Sequence, residues 1–77
     1  MIGVLGSGSW ATAIVKILTE NATEKVYWWI REQSVIDGLH SDGHNPHYLS
    51  EIFFDTQKLI LSNDIEEVIA HCNDLFL

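Results

Sequence analysis

Ile2-Gly3-Val4-Leu5 runs straight into Gly6-Ser7-Gly8, and apolar residues at helical spacing begin by Ala11. A short apolar run, a glycine pair and an amphipathic pattern, in that order, describe a buried strand, a tight turn and a helix start. The spacing Gly6-x-Gly8-x-x-Ala11 is the Gly/Ala form of the dinucleotide-binding fingerprint. In that pattern the first glycine permits a sharp exit from the strand, where a side chain is expected to clash. The second lets the backbone approach a pyrophosphate, and the small Ala11 lets the helix lie close on the strand. Ser7 and Ser9 are alternative caps for this helix. Its free first-turn N–H groups and its dipole then face the phosphates.

The rest of the chain continues an alternating pattern. From Ser9 to about Glu20, Ala11, Ile14, Ile17 and Leu18 form an apolar stripe that Val15 widens, with Asn21 as a left-handed stop. Lys25 to Ile30 is short, β-branched and aromatic and predicts a second strand. Ser34 to about His40 predicts a short helix, with Val35, Ile36 and Leu39 on one side. Asp42-Gly43 and Asn45-Pro46 are turn signals, so 41–46 is a loop. Tyr48, Leu49, Ile52, Phe53 and Phe54 are expected to pack back on the sheet edge. Lys58 to Ser62 predicts a third strand, and Asn63 or Asp64 caps a helix to about His71 with Ile65, Val68 and Ile69 inward. A fourth strand begins at Asp74. The whole predicts an α/β fold, the first four strands of a Rossmann-type parallel sheet in the order 3-2-1-4, truncated. Residues 1–77 then form the N-terminal portion of an incomplete dinucleotide-binding domain, with any substrate domain absent.

Composition narrows the function classes. At 77 residues a chain buries only about 60% of its unfolded surface, so stability is marginal. Its 47% hydrophobic content suits a globular core, and a net charge of −7 with four scattered basic residues excludes a nucleic-acid footprint. No apolar run reaches membrane-spanning length. The single cysteine, Cys72, excludes an internal disulfide and fits a reducing, cytoplasmic setting. His40, His44 and His47 are spaced loosely like zinc ligands, but Asn45-Pro46 breaks any helix that would align them, so a polar loop is expected and no metal. Helix-facing and core packing is expected for Trp28 and Trp29, on opposite faces of the sheet.

Arg31 and Glu32 stand where a dinucleotide fold reads the adenosine ribose. An acidic residue there binds the 2′-hydroxyl of NAD, whereas arginine accepts a 2′-phosphate by a bidentate contact. Arg31 favours NADP and Glu32 favours NAD, so either cofactor, or both, is open.

Several motifs resemble the N-terminal part of NAD(P)-dependent glycerol-3-phosphate dehydrogenases, over essentially all 77 residues. Gly6-Ser7-Gly8-Ser9-Trp10-Ala11-Thr12-Ala13 is similar to the family's Gly-x-Gly-Ser-aromatic-small-Thr-Ala signature. Trp28-Trp29-Ile30-Arg31 is similar to its tryptophan followed shortly by arginine or histidine, and Asn45-x-x-Tyr48-Leu49 to its Asn-x-x-Tyr-Leu-Pro loop. Ser50 replaces the usual proline and Ala11 a common glycine. The resemblance implies hydride transfer between dihydroxyacetone phosphate and sn-glycerol 3-phosphate with NAD(P)H, feeding phospholipid synthesis. It implies cofactor contacts at Gly6, Ser7, Gly8, Ser9, Trp10, Arg31 and Tyr48, and catalytic lysines that none of the three lysines here matches. A dinucleotide-sensing regulatory module without catalysis is the alternative. Either way the isolated chain is expected to self-associate through the open edge of its fourth strand.

Overall fold

In the computed structural model, which describes every residue except Ala22, Tyr48, Ser50 and Leu77, strands alternate with α-helices, and a short 3-10 turn at Thr56–Lys58 precedes the third strand. The strands are β1 (Ile2–Leu5), β2 (Val26–Trp29), β3 (Leu59–Ser62) and β4 (Asp74–Phe76). The helices are α1 (Ser9–Asn21), α2 (Gln33–Asp42) and α3 (Ile65–His71). All neighbouring strands are parallel, and the sheet order is β3-β2-β1-β4, as the βαβ pattern predicts.

The register sorts the side chains into two layers. Val4 pairs with Trp28, and Trp28 with Leu61, so these three share a face. That face carries the main core, where Val4, Val26, Trp28 and Leu59 meet Ala11 and Val15 of α1, Val35, Ile36 and Leu39 of α2, and Phe54. Trp28 is the largest fully buried side chain, and its ring lies 5.4 Å from that of Phe54. Each fully buried aliphatic side chain here contributes roughly 1.5–3 kcal/mol. On the other face Gly3 pairs with Tyr27 and Leu75. There α3 comes so close that a Cβ on Gly3 would stand 2.7 Å from Cys72 Sγ and 3.1 Å from Val68. The Tyr27 ring stacks on His71 at 5.4 Å.

Several local expectations need correction. On α1 the buried line is Ala11, Thr12, Val15 and Thr19, whereas Ile17 is exposed and Ile14 and Leu18 are only partly covered. Both threonines go inward because their hydroxyls are satisfied by helix carbonyls, Thr12 at Gly8 and Thr19 at Lys16, which leaves the methyl groups for packing. Asn21 is not left-handed; its side-chain amide donates to the Ile17 carbonyl at 2.8 Å. Neither Ser7 nor Ser9 is the residue before α1. The helix begins at Ser9, and the Gly8 carbonyl receives the Thr12 N–H.

Helix α2 runs on to Asp42, two residues further than its apolar pattern suggests. Gly43, at φ +78°, closes it by donating its N–H to the Leu39 carbonyl. Asp64 caps α3, accepting from the N–H groups of Glu66 and Glu67. Only Val68 of the expected inward residues on this seven-residue helix is buried; Ile65 and Ile69 are exposed. In the 47–54 segment Phe54 is buried and Ile52 partly so, while Leu49 and Phe53 face outward. The Phe53 carbonyl instead accepts from Lys16 Nζ at 2.7 Å, tying the segment to α1.

Candidate functional site

Two parallel strands carry the chain to the same end of the sheet and leave it there at Gly6 and Ile30. Gly6 donates its N–H to the Trp29 carbonyl, extending the β1–β2 ladder by one bond, and then turns with φ +112°. Glycine is required for that dihedral angle. The clash expected from the sequence lies with the adjacent backbone at that angle; beyond its chain neighbours, a Cβ placed on Gly6 meets nothing within 4 Å among the described residues. Beyond its chain neighbours, a Cβ on Gly8 likewise meets nothing within 4 Å among the described residues.

Three successive carbonyls of this turn are tied inward. Trp28 Nε1 donates to Gly6 O at 2.6 Å. Asn45 Nδ2 donates to Ser7 O at 3.0 Å, with Thr12 Oγ1 at 3.3 Å from the same oxygen. Thr12 donates to Gly8 O from its N–H at 2.9 Å and its hydroxyl at 2.8 Å. Asn45 is completely buried, and its Oδ1 receives the His47 N–H at 2.9 Å.

Beside the turn lies a cleft of about 220 Å3, lined by Gly6, Ser7, Trp29, Arg31 and Glu32. Glu32 spans its polar side, accepting from the Ser7 hydroxyl and from Arg31 Nη2, each at 3.4 Å. The Arg31 side chain is 81% exposed and is free to reorient towards an anion. Trp29 is half-buried, with its indole N–H on the Asn63 carbonyl. It therefore forms a wall of the cleft as well as packing on the sheet.

The predicted residues thus divide. Gly6, Ser7 and Arg31 line the cleft together. Gly8, Ser9 and Trp10 lie at the head of α1, outside that lining. Trp10 is 56% exposed, so core packing does not account for an aromatic residue there. Tyr48 lies outside the described residues. Sequence reasoning did not assign Thr12 or Asn45 to the site. Asn45 was visible as part of an Asn-x-x-Tyr-Leu motif, but its reach back over 38 residues to the turn was not.

An open glycine turn at a helix N-terminus, with no described side chain within 4 Å of the Cβ positions of Gly6 and Gly8, fits the pyrophosphate of a dinucleotide. Among the described residues no His, Cys, Asp or Glu group is arranged to hold a metal ion. None of the described helices is long and apolar enough to cross a membrane.

Comparison with known proteins shows the family and the fold. The family described as NAD-dependent glycerol-3-phosphate dehydrogenase N-terminus matches residues 1–77. A glycerol-3-phosphate dehydrogenase [NAD(P)+] of Limosilactobacillus fermentum is 30% identical over 90% of this chain and 20% of its own length. One from Myxococcus xanthus is 36% identical over 87% of this chain and 19% of its own. The crystal structure of glycerol-3-phosphate dehydrogenase from Coxiella burnetii superposes with a TM-score of 0.80 at 30% identity, covering 96% of this chain and 22% of that one. The chain therefore spans about one fifth of the length of these relatives. By sequence and by fold, the chain belongs to the N-terminal family of NAD-dependent glycerol-3-phosphate dehydrogenases.

Proposed function

We propose that this chain is the cofactor-binding portion of an enzyme that interconverts dihydroxyacetone phosphate and sn-glycerol 3-phosphate with NAD(P)H, in the cytoplasm, for glycerophospholipid synthesis. The observation that carries the reading is the open Gly6–Trp10 turn at the head of α1 beside the Arg31–Glu32 cleft. The turn and Ser9 hold the pyrophosphate, Trp10 covers it, and Arg31 and Glu32 meet the adenosine ribose. The bound cofactor supplies the hydride. The family supports this assignment over the regulatory alternative, which no comparison favours.

Residues 1–77 are read as the first part of a dinucleotide-binding domain, with the substrate held by residues outside it. Hydride transfer needs the substrate fixed against the nicotinamide and an acid for the carbonyl oxygen. The chain alone is accordingly inactive. Self-association of the isolated chain belongs to the same reading: β4 is an edge strand of the sheet and its Leu75 and Phe76 are exposed, so a second copy would occupy that edge. Calorimetric titration of the full-length protein with NADH and NADPH tests the site. Absence of binding to either would overturn it.

A further inference from the structure

The phosphate-facing amides of the turn are aimed from behind. In a trans peptide the carbonyl of one residue and the N–H of the next point in opposite directions. Fixing a carbonyl inward therefore turns the following N–H outward. Asn45 Nδ2 holds the Ser7 carbonyl, and the Thr12 N–H and hydroxyl hold the Gly8 carbonyl. Asn45 and Thr12 also bond each other at 3.2 Å, and both are fully buried. Gly8 itself has no side chain to restrain its peptide planes, so these outside anchors take over that task.

We propose that Asn45, reaching in from the loop after α2, and Thr12 of α1 are positioning residues for the pyrophosphate, orienting the N–H groups of Gly8 and Ser9 towards it. This rests on the dinucleotide reading of the site. Neither residue touches the ligand. Each acts through the peptide whose carbonyl it holds. Asn45 suits the role because its two ends are committed in opposite senses, Nδ2 donating to Ser7 O and Oδ1 accepting from His47 N–H. Aspartate, of the same shape, keeps the second bond but sets an acceptor against the Ser7 carbonyl.

The test uses the full-length protein and ADP-ribose, which carries the pyrophosphate without the nicotinamide. Asn45→Asp and Thr12→Val are each expected to raise the ADP-ribose Kd about tenfold or more, the equivalent of one misplaced hydrogen bond. Thr12→Ser, which keeps the hydroxyl, should bind as wild type. In 15N spectra the Gly8 and Ser9 amides should move on adding ADP-ribose in wild type and Thr12→Ser. In Asn45→Asp and Thr12→Val they should already be displaced before ligand is added. Should Asn45→Asp fail to fold, the Thr12→Val and Thr12→Ser pair decides alone. Wild-type affinity in folded Thr12→Val and Asn45→Asp, or equal losses in Thr12→Ser and Thr12→Val, would overturn the positioning role and leave the site standing. Wild-type protein that binds no ADP-ribose would overturn both.

Discussion

Nε1 of Trp28 lies 2.6 Å from the carbonyl oxygen of Gly6, so the largest buried side chain of the sheet is also bonded to the first residue of the turn. Core and site are one structure at this point. Trp28→Phe keeps an aromatic ring against Phe54 but leaves the Gly6 carbonyl without its indole donor. The expected cost is about 1–3 kcal/mol in chemical denaturation. A loss of ADP-ribose affinity should accompany it, read by calorimetry on the same samples. Unchanged affinity would separate the core from the site.

Gly8→Val separates fold from binding in the other direction. Beyond its chain neighbours, a Cβ there meets no described atom within 4 Å, so on the proposed reading the side chain enters the space of the phosphate. Valine just before a helix costs about 1 kcal/mol in stability. Dinucleotide binding should nevertheless be abolished in calorimetry while the circular dichroism spectrum is retained.

Arg31 and Glu32 pair at 3.4 Å, and on the proposed reading the balance between them would set cofactor preference. Arg31→Ala removes the cation that would take a 2′-phosphate and should weaken NADPH by roughly 10- to 100-fold. NADH should change little. Equal losses for both cofactors, measured by titration, would remove Arg31 from the site.

Gly3 sits beneath α3 with Cys72 Sγ, Leu75 and Val68 all closer than an ordinary contact to any added Cβ. Gly3→Ala should destabilise by about 1–3 kcal/mol. Cys72→Ala removes the tightest neighbour. In a double-mutant cycle the pair should therefore lose less than the sum of the single changes.

Alkaline pH tests the same layer. Burial pushes the Cys72 thiol above its ordinary value of 9.0, and the nearby N-terminal ammonium offsets this only in part. Burial, followed by the Glu67 carboxylate and Cys72, likewise holds the Tyr27 phenol above 10.0. A raised value means that the fold prefers the neutral form. That contribution is complete below the unfolded thiol's pKa and is lost as pH rises through the folded one. The thermal midpoint should fall above about pH 9, and less steeply in Cys72→Ala. An identical slope in the variant would assign the fall to other groups.

The strand order, the turn and α3 with a cap at Asn63 or Asp64 were legible because each rests on local chemistry. Glycines mark the turn, β-branched and aromatic runs mark the strands, and a short carboxylate side chain marks a helix start. What the sequence hid was long-range. Periodicity on α1 put Ile17 inward, because it counts a threonine as polar when its hydroxyl is in fact satisfied by its own helix. Ile65 and Ile69 stay outward because α3 faces the sheet through Val68 and His71, with its C-cap Cys72 over Gly3. Asn45 was visible as a loop residue. No local rule connects it to a turn 38 positions earlier.

The anchors of that turn come from positions 4, 22 and 38 residues away along the chain. A parallel sheet has no hairpins to form early, and its contacts reward the chain only after long loops have closed. The shape of the finished turn consequently depends on the docking of β2 and of the segment around Asn45. A ligand that binds the finished turn thus draws on the whole assembly. Its binding free energy adds to the stability of β1, β2, α1 and the distant loop together rather than to a local hinge.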